Sequence, residues 1–242
     1  MRNLILIVLF IPLICLAGEQ ELVEAFFSPN GIEDKEAVYS GEMLEYHLNR
    51  PTLGESLPYG MSKEYRLIES TSSRKIYAVS LTKDGNTQDW YAYLTKSPDS
   101  WKLSAIRNLA LPRFFFIALQ KIEAKKQRSK EDDYRYQNML LTLKSDSELK
   151  RFLKSNLTTL EMINSLAENA PEQANQIAGS LNLNKVDFEA ETGITNINIG
   201  GILDNSVGYL YVPKAESVPD MSDDNYIYLE KVQGNWYLYK TT

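Results

Sequence analysis

Between residues 65 and 107 apolar and polar positions alternate with period two in four runs, 65–69, 75–81, 90–95 and Trp101–Arg107, which predicts four antiparallel strands. Lys83-Asp84-Gly85-Asn86 and Ser97-Pro98-Asp99-Ser100 lie between the later runs and supply the residues that tight connections need. Ahead of this stretch the apolar spacing is helical over 19–27 and 34–48. Ser28-Pro29-Asn30-Gly31 marks a turn between the two helices, Asn49-Arg50-Pro51 a stop, and residues 51–60 a loop. Beyond Leu111-Pro112 the helical period returns over 114–126, 132–143, 147–156, 158–169 and Pro171–Ser180, with Ser, Thr or Pro at the starts of the last three. Period two then resumes over 186–190, 194–199, 207–212, 226–232 and 236–240. The fold class expected is therefore α+β, in two tandem units at 18–112 and 113–242, each running helices first and then an antiparallel meander.

The two units end alike. Residues 89–103 and 224–238 align without a gap and share seven of fifteen positions: Asp89/Asp224, Tyr91/Tyr226, Tyr93/Tyr228, Leu94/Leu229, Lys96/Lys231, Trp101/Trp236 and Leu103/Leu238. The spacing suggests an internal repeat closed by a Tyr-x-Tyr-Leu-x-Lys-x4-Trp-x-Leu hairpin. Trp101 and Trp236 are expected to anchor the cores.

The N-terminus adds a destination. Arg2 precedes an apolar run from Leu4 to Leu16, followed by Ala17, Gly18 and Glu19. A charged start, a short apolar stretch and small residues before the cut read as a secretory signal peptide over residues 1–17. The run is shorter than the roughly 20 residues a spanning helix requires. A lipid anchor on Cys15 is the alternative, and only through it would a membrane be a partner; the bulky Ile14 disfavours it. Cleavage after Ala17 would remove the single cysteine, leaving neither disulfide nor thiol nucleophile, and would leave 25 basic residues against 32 acidic. An exported chain this acidic, without a basic block, is a poor partner for nucleic acid or for an anionic membrane. The charged stretch 121–133 mixes both signs and reads as a solvated helix face.

Candidate chemistry is sparse. Strand alternation puts Asp89, Tyr91 and Tyr93 on one face of their strand, and Asp224, Tyr226 and Tyr228 on one face of the matching strand. Tyrosine pairs beside a carboxylate suit an amphipathic ligand, since each ring offers apolar area and a hydroxyl; cross-strand aromatic pairing explains the same residues without a ligand. Arg107 falls on the period-two face of Trp101, Leu103 and Ala105, where a cation needs a partner, with Asp89 a possible mate. The ligand-binding candidates are thus Asp89, Tyr91, Tyr93, Arg107, Tyr226 and Tyr228. His47, the single histidine, cannot make a zinc site alone and has no Gly-x-Ser-x-Gly elbow to serve. The acidic run 220–225 lacks the ligand spacing of a calcium loop, and Asn156-Leu157-Thr158 is a formal glycosylation sequon. No catalytic residue, metal or cofactor is assigned.

The element order of residues 19–110, helices followed by a meander leading into Trp101-x-Leu103, resembles the nuclear transport factor two-like, or ketosteroid isomerase-like, superfamily. The resemblance implies a helix-capped, curved sheet with a pocket on its concave face. It implies no activity, because that superfamily holds enzymes and non-catalytic domains alike. The function expected is a non-catalytic binding or protein-interaction protein of the bacterial envelope, periplasmic or secreted, using its tyrosine-rich sheet faces for a protein or a small amphipathic ligand. The alternative is a small enzyme with a carboxylate and a tyrosine as acid and base in the first unit's pocket.

Overall fold

The computed structural model describes residues 18–242, so the expected signal peptide over 1–17 and Cys15 lie outside the described residues. Helices α1 (Glu19–Phe26), α2 (Lys35–Val38), α3 (Gly41–Tyr46) and α4 (Leu53–Ser56) precede strands β1 (Ser62–Ser70), β2 (Arg74–Lys83), β3 (Asn86–Lys96) and β4 (Trp101–Arg107). Helices α5 (Arg113–Glu123), α6 (Lys130–Thr142), α7 (Asp146–Ser155), α8 (Leu157–Ala167) and α9 (Pro171–Ser180) then lead to β5 (Lys185–Glu189), β6 (Ile194–Ile202), β7 (Asn205–Tyr211), β8 (Tyr226–Gln233) and β9 (Trp236–Thr241). The described residues thus form roughly two helix-then-sheet units, one sheet of four strands and one of five, both antiparallel.

The single helix expected over 34–48 is two short ones. Tyr39 between them is extended, buried, and bridged to Leu103 of β4, so a side chain needed by the core interrupts the helical period. The loop expected at 51–60 contains α4, nucleated by Glu55, whose carboxylate accepts from the backbone N–H and hydroxyl of Thr52.

The first sheet is a simple meander, β1-β2-β3-β4. Its β2–β3 turn has Asp84 and Gly85 both at positive φ (51° and 79°), as a two-residue hairpin loop with the twist of its strands requires. Both faces of this sheet are covered. On one face Tyr77, Val79, Leu81, Ala92, Leu94 and Leu103 pack on α1 to α3; on the other Ile76, Ala78, Tyr91, Tyr93 and Ala105 join the core of α6 to α9 and the second sheet. The two-faced burial follows from the alternation along β2 and β3, where neither set of alternate positions is polar.

The matching hairpins are not equivalent. In the first sheet β3 is internal and β4 is the edge; in the second, ordered β5-β6-β7-β9-β8, the earlier arm β8 is the edge and β9 is internal. The equal Lys-to-Trp spacing also conceals different connections. Lys96 pairs with Trp101 across a four-residue turn, whereas a register shift near Val232 lets Gln233 pair with Trp236 across Gly234-Asn235. The tryptophans part company accordingly: Trp236 is buried, but Trp101 is half-buried with the ammonium groups of Lys75 and Lys96 4.9 and 5.2 Å from its ring centre.

Candidate functional site

Where the sheets meet, three elements deliver charge into the interior. The face of β3 that carries Tyr91 and Tyr93 also carries Asp89, opposite Ser80 of β2 in register. The first turn of α7 brings Asp146, and β9 brings Lys240, register partner of Tyr228. Helix α7 starts here because Ser145 and Glu148 form a capping box: the Ser145 N–H donates to Glu148 Oε2 at 3.0 Å, and the Glu148 N–H to Ser145 Oγ at 3.4 Å. The Asp146 N–H, left without an intrahelical acceptor, donates to Asp89 Oδ2 at 2.7 Å. A carboxylate from the first sheet therefore sits on the N-terminus of a helix of the second unit.

Lys240 Nζ lies 2.7 Å from Asp146 Oδ1 and 3.6 Å from Asp89 Oδ2, and all three residues are buried. The Tyr91 hydroxyl donates to both oxygens of Asp146 at 3.0 and 3.1 Å, and Ser80 Oγ donates to Asp89 Oδ1 at 2.6 Å. One ammonium facing two carboxylates leaves the cluster with excess negative charge. Burial alone would lower the Lys240 pKa, but attraction to Asp146 and Asp89 outweighs it and the ammonium is held above its usual range. Burial pushes the Asp146 carboxyl up, and Asp89 adds to that against the pull of Lys240 and Tyr91. The two shifts are compatible: the lysine draws on both acids, while each acid shares the lysine and faces the other. Burial, then Asp146 and Asp89, raise the Tyr91 hydroxyl well above its usual value, so Tyr91 is a donor here.

A second layer of charge flanks the first. Tyr228 stacks on Tyr91 with ring centres 4.8 Å apart and planes at 21°, and its hydroxyl donates to Glu230 Oε2 at 3.0 Å. Glu230 also accepts from Arg66 of β1 at 2.5 Å and Lys150 of α7 at 2.8 Å. Burial opposes its ionisation, but these two cations hold its carboxyl below the usual range.

The structure thus brings Asp89, Tyr91, Tyr93 and Tyr228 together between the sheets. Tyr93 donates to the carbonyls of Ile227 and Ser222 at 2.9 and 3.0 Å. Tyr226 stands apart, edge-on to Tyr239 at 5.7 Å, lining a shallow hollow with Asp187 and Pro219. Arg107 does not mate with Asp89. A register shift in the β3–β4 ladder places Leu94 opposite Leu103 but Tyr93 opposite Ala105, so the simple alternation that grouped Arg107 with Leu103 fails. Its guanidinium instead makes a two-pronged pair with Glu42 of α3, and its Nε donates to the Asp223 carbonyl at 2.5 Å. Bonding to Arg107 is the main cause of a lowered Glu42 pKa. Replacing Arg107 with Leu is expected to lower stability by about 1–3 kcal/mol, because Glu42 and the 220–225 loop lose a shared donor; a urea midpoint equal to that of the parent would refute the pairing.

His47 lies 3.7 Å from Glu42, and Ser222 donates to Asp224 at 2.6 Å within the acidic loop. Among the described residues no group of three or more His, Cys, Asp or Glu side chains is placed to hold a metal ion.

A crevice of about 230 Å³ reaches the cluster. Asp89 and Lys240 line it, together with Leu109, Leu111, Phe116 and Leu143 as apolar wall and Gln88, Asn108 and Thr142 as polar groups. A neighbouring groove of about 620 Å³ shares Thr87, Leu143 and Lys144 with it and runs along α6 and α7 past Gln137, Leu140 and Phe152. Sequence reasoning found Asp89 but missed Asp146 and Lys240. Lys240 alternates with Trp236 and Leu238, the same signal of a cation on an apolar face that singled out Arg107.

Fold and site define an α+β protein of two antiparallel sheets joined by a buried ion cluster beside an apolar crevice. Comparisons with protein-family models, with curated proteins and with solved structures find no match to the chain.

Proposed function

We propose that this is an exported, non-catalytic binding protein that takes a small amphipathic ligand in the crevice beside Lys240. The observation that carries the proposal is the division of polar groups around the crevice. Tyr91 and Asp146, the carboxylate–tyrosine pair best suited to acid–base work, bond to each other and do not line it. Lys240 does line it, and with one close acceptor at 2.7 Å and another at 3.6 Å it retains donor capacity for a guest. An apolar wall with a few convergent polar groups is the usual composition of a ligand site. The cluster already has two carboxylates for one ammonium, so a neutral acceptor such as a carbonyl suits it better than a third anion. A body too long for the crevice has a path over Leu143 into the larger groove. Export rests on the signal-like residues 1–17.

The enzyme reading draws on one observation, that Asp89 and Lys240 both reach the crevice. Against it, Asp89 already accepts from Ser80 and from the helix N-terminus, so both of its oxygens are engaged in bonds that hold the fold.

The neutral amphipathic dye N-phenyl-1-naphthylamine tests the site. Saturable fluorescence enhancement is expected with the parent chain, weakened at least about tenfold by Leu143→Asp, which puts a charge against the apolar wall, and unchanged by Met162→Asp on the exposed side of α8. No saturable binding, or equal binding by the Leu143 variant, overturns the assignment.

A further inference from the structure

Helix α5 leaves much of its apolar surface exposed. Residues 114–119 are apolar without interruption, which puts apolar side chains on every side of its first two turns. Such a helix belongs in a core or in another apolar phase, yet only Phe115 and Ile122 are buried. Phe114, Phe116 and Ile117 are 59 %, 41 % and 40 % exposed, and Ala118 is exposed beside them.

Charge supplies the second observation, and it goes against the expectation that the chain lacks a basic block and avoids anionic membranes. Residues 113–130 contain six basic side chains and one acid, Glu123, a net +5; the whole chain carries −6, so the remainder carries −11. Arg113, Lys121, Lys126 and Lys130 are exposed and make no ion pair among the described residues. Lys125 and Arg128 are held by Asp132 and Asp133 of α6, with Arg128 also over the Tyr136 ring at 4.0 Å, so part of the basic charge secures the turn that follows the helix. Arg113 opens α5 and Lys121 sits two turns later, so cations bracket the exposed phenylalanines at both ends.

We propose that α5 is an interfacial helix that seats the protein on an anionic lipid surface, with Phe114 and Ile117 entering the acyl boundary and Arg113, Lys121 and Lys126 on the headgroups. An apolar face bordered by Lys and Arg is the composition of helices that lie in a membrane plane, and binding there rises with buried apolar area and with attraction to acidic lipids. The acidic remainder is repelled by the same surface, which fixes the approach with α5 foremost. A soluble acidic partner would answer the cations but not the all-round apolar turns. No helix among the described residues is long and apolar enough to cross a membrane, so the seating is peripheral. It does not depend on what the crevice holds, since Phe114 and Ile117 do not line it.

The test is co-sedimentation of the detergent-free protein with phosphatidylethanolamine–phosphatidylglycerol vesicles and with phosphatidylcholine vesicles. Binding is expected on the first, weakened by raised salt, with at most slight binding on the second. Phe114→Asp/Ile117→Asp and, separately, Lys121→Glu/Lys126→Glu should each weaken it at least about tenfold. All four positions are exposed, and unchanged circular dichroism of the variants shows that the loss is one of binding. Absence of binding, binding indifferent to both pairs of substitutions, or a concentration-dependent dimer abolished by Phe114→Asp/Ile117→Asp each overturns the proposal, the last by assigning the face to a second copy of the chain. Dye binding in the crevice should survive both double variants.

Discussion

Replacing Lys240 with Met should destabilise the protein by about 3–5 kcal/mol, the usual consequence of stranding buried charge when one partner of an internal pair is removed. Methionine matches the length of the aliphatic stem, so the loss is electrostatic more than steric. The ammonium lies 2.7 Å from Asp146 and 3.6 Å from Asp89, and without it two buried carboxylates face each other with only Tyr91, Ser80 and one helix N–H as donors. Acidity should recover part of the loss. Asp146 has a native pKa above its ordinary value, so its titration favours the native state below the ordinary aspartate pKa, and that contribution is lost as pH rises through the native value. In the Lys240→Met protein the native value moves higher still, and the loss is deferred to higher pH. Carboxyls of the opposite kind set the background: Glu148, held at about 2 by Lys144 and the Ser145 cap against a burial effect, contributes above the ordinary glutamate value and loses that contribution as pH falls toward 2. Urea unfolding at neutral and mildly acid pH measures both effects. A deficit below about 1 kcal/mol at neutral pH, with no acid recovery, would mean that water reaches these acids freely.

Tyr228→Ala comes next in size. Tyr228 is fully buried, stacks on Tyr91 across the two sheets, and bonds to Glu230, which also ties down Arg66 and Lys150. Truncation of a large buried aromatic side chain costs about 3–5 kcal/mol; Tyr228→Phe retains the stack and should lose only about 1 kcal/mol for the hydroxyl. Because Ile76, Ala78, Tyr91, Tyr93 and Ala105 share one core with the second sheet, the parent and both variants should unfold in one transition. Far-ultraviolet dichroism and tryptophan fluorescence should trace the same curve, since Trp90 and Trp101 report on the first sheet and Trp236 on the second. Two separated transitions would contradict a shared core.

Much of the local structure was legible because it depends on local pattern. The β4 strand and α9 were readable to the residue, and the alternation along β3 placed Tyr91 and Tyr93 opposite Ala92 and Leu94, as the two cores require. What failed depended on partners distant in sequence. Nothing around Tyr39 shows that its backbone must bridge to Leu103 and break a helix there. The repeat from 89 and 224 reads as two equal hairpins, but strand order is set by what each hairpin packs on, and that makes β3 internal and β8 an edge. At the site, Asp89 was visible as a charge among tyrosines. Asp146 fell just before the helix expected over 147–156, and only its contact with β3 and β9 makes it interior. The tyrosines were readable as one face of their strand; that the Tyr91 and Tyr228 rings stack across two sheets was not.

The cluster joins residues 89, 146 and 240, so its parts leave a ribosome far apart in time. Residues up to Arg107 can complete a sheet and cover one face with α1 to α3 while the other, with Ile76, Tyr91, Tyr93 and an unneutralised Asp89, still awaits its cover. Contacts of such long sequence separation form late, and an open apolar face in the interval is prone to stick to its neighbours. Asp89 places a charge at the border of that face. The residue that binds the helix N-terminus in the finished protein thus also stands where a gatekeeper acts, a charge beside an apolar surface that still awaits its cover.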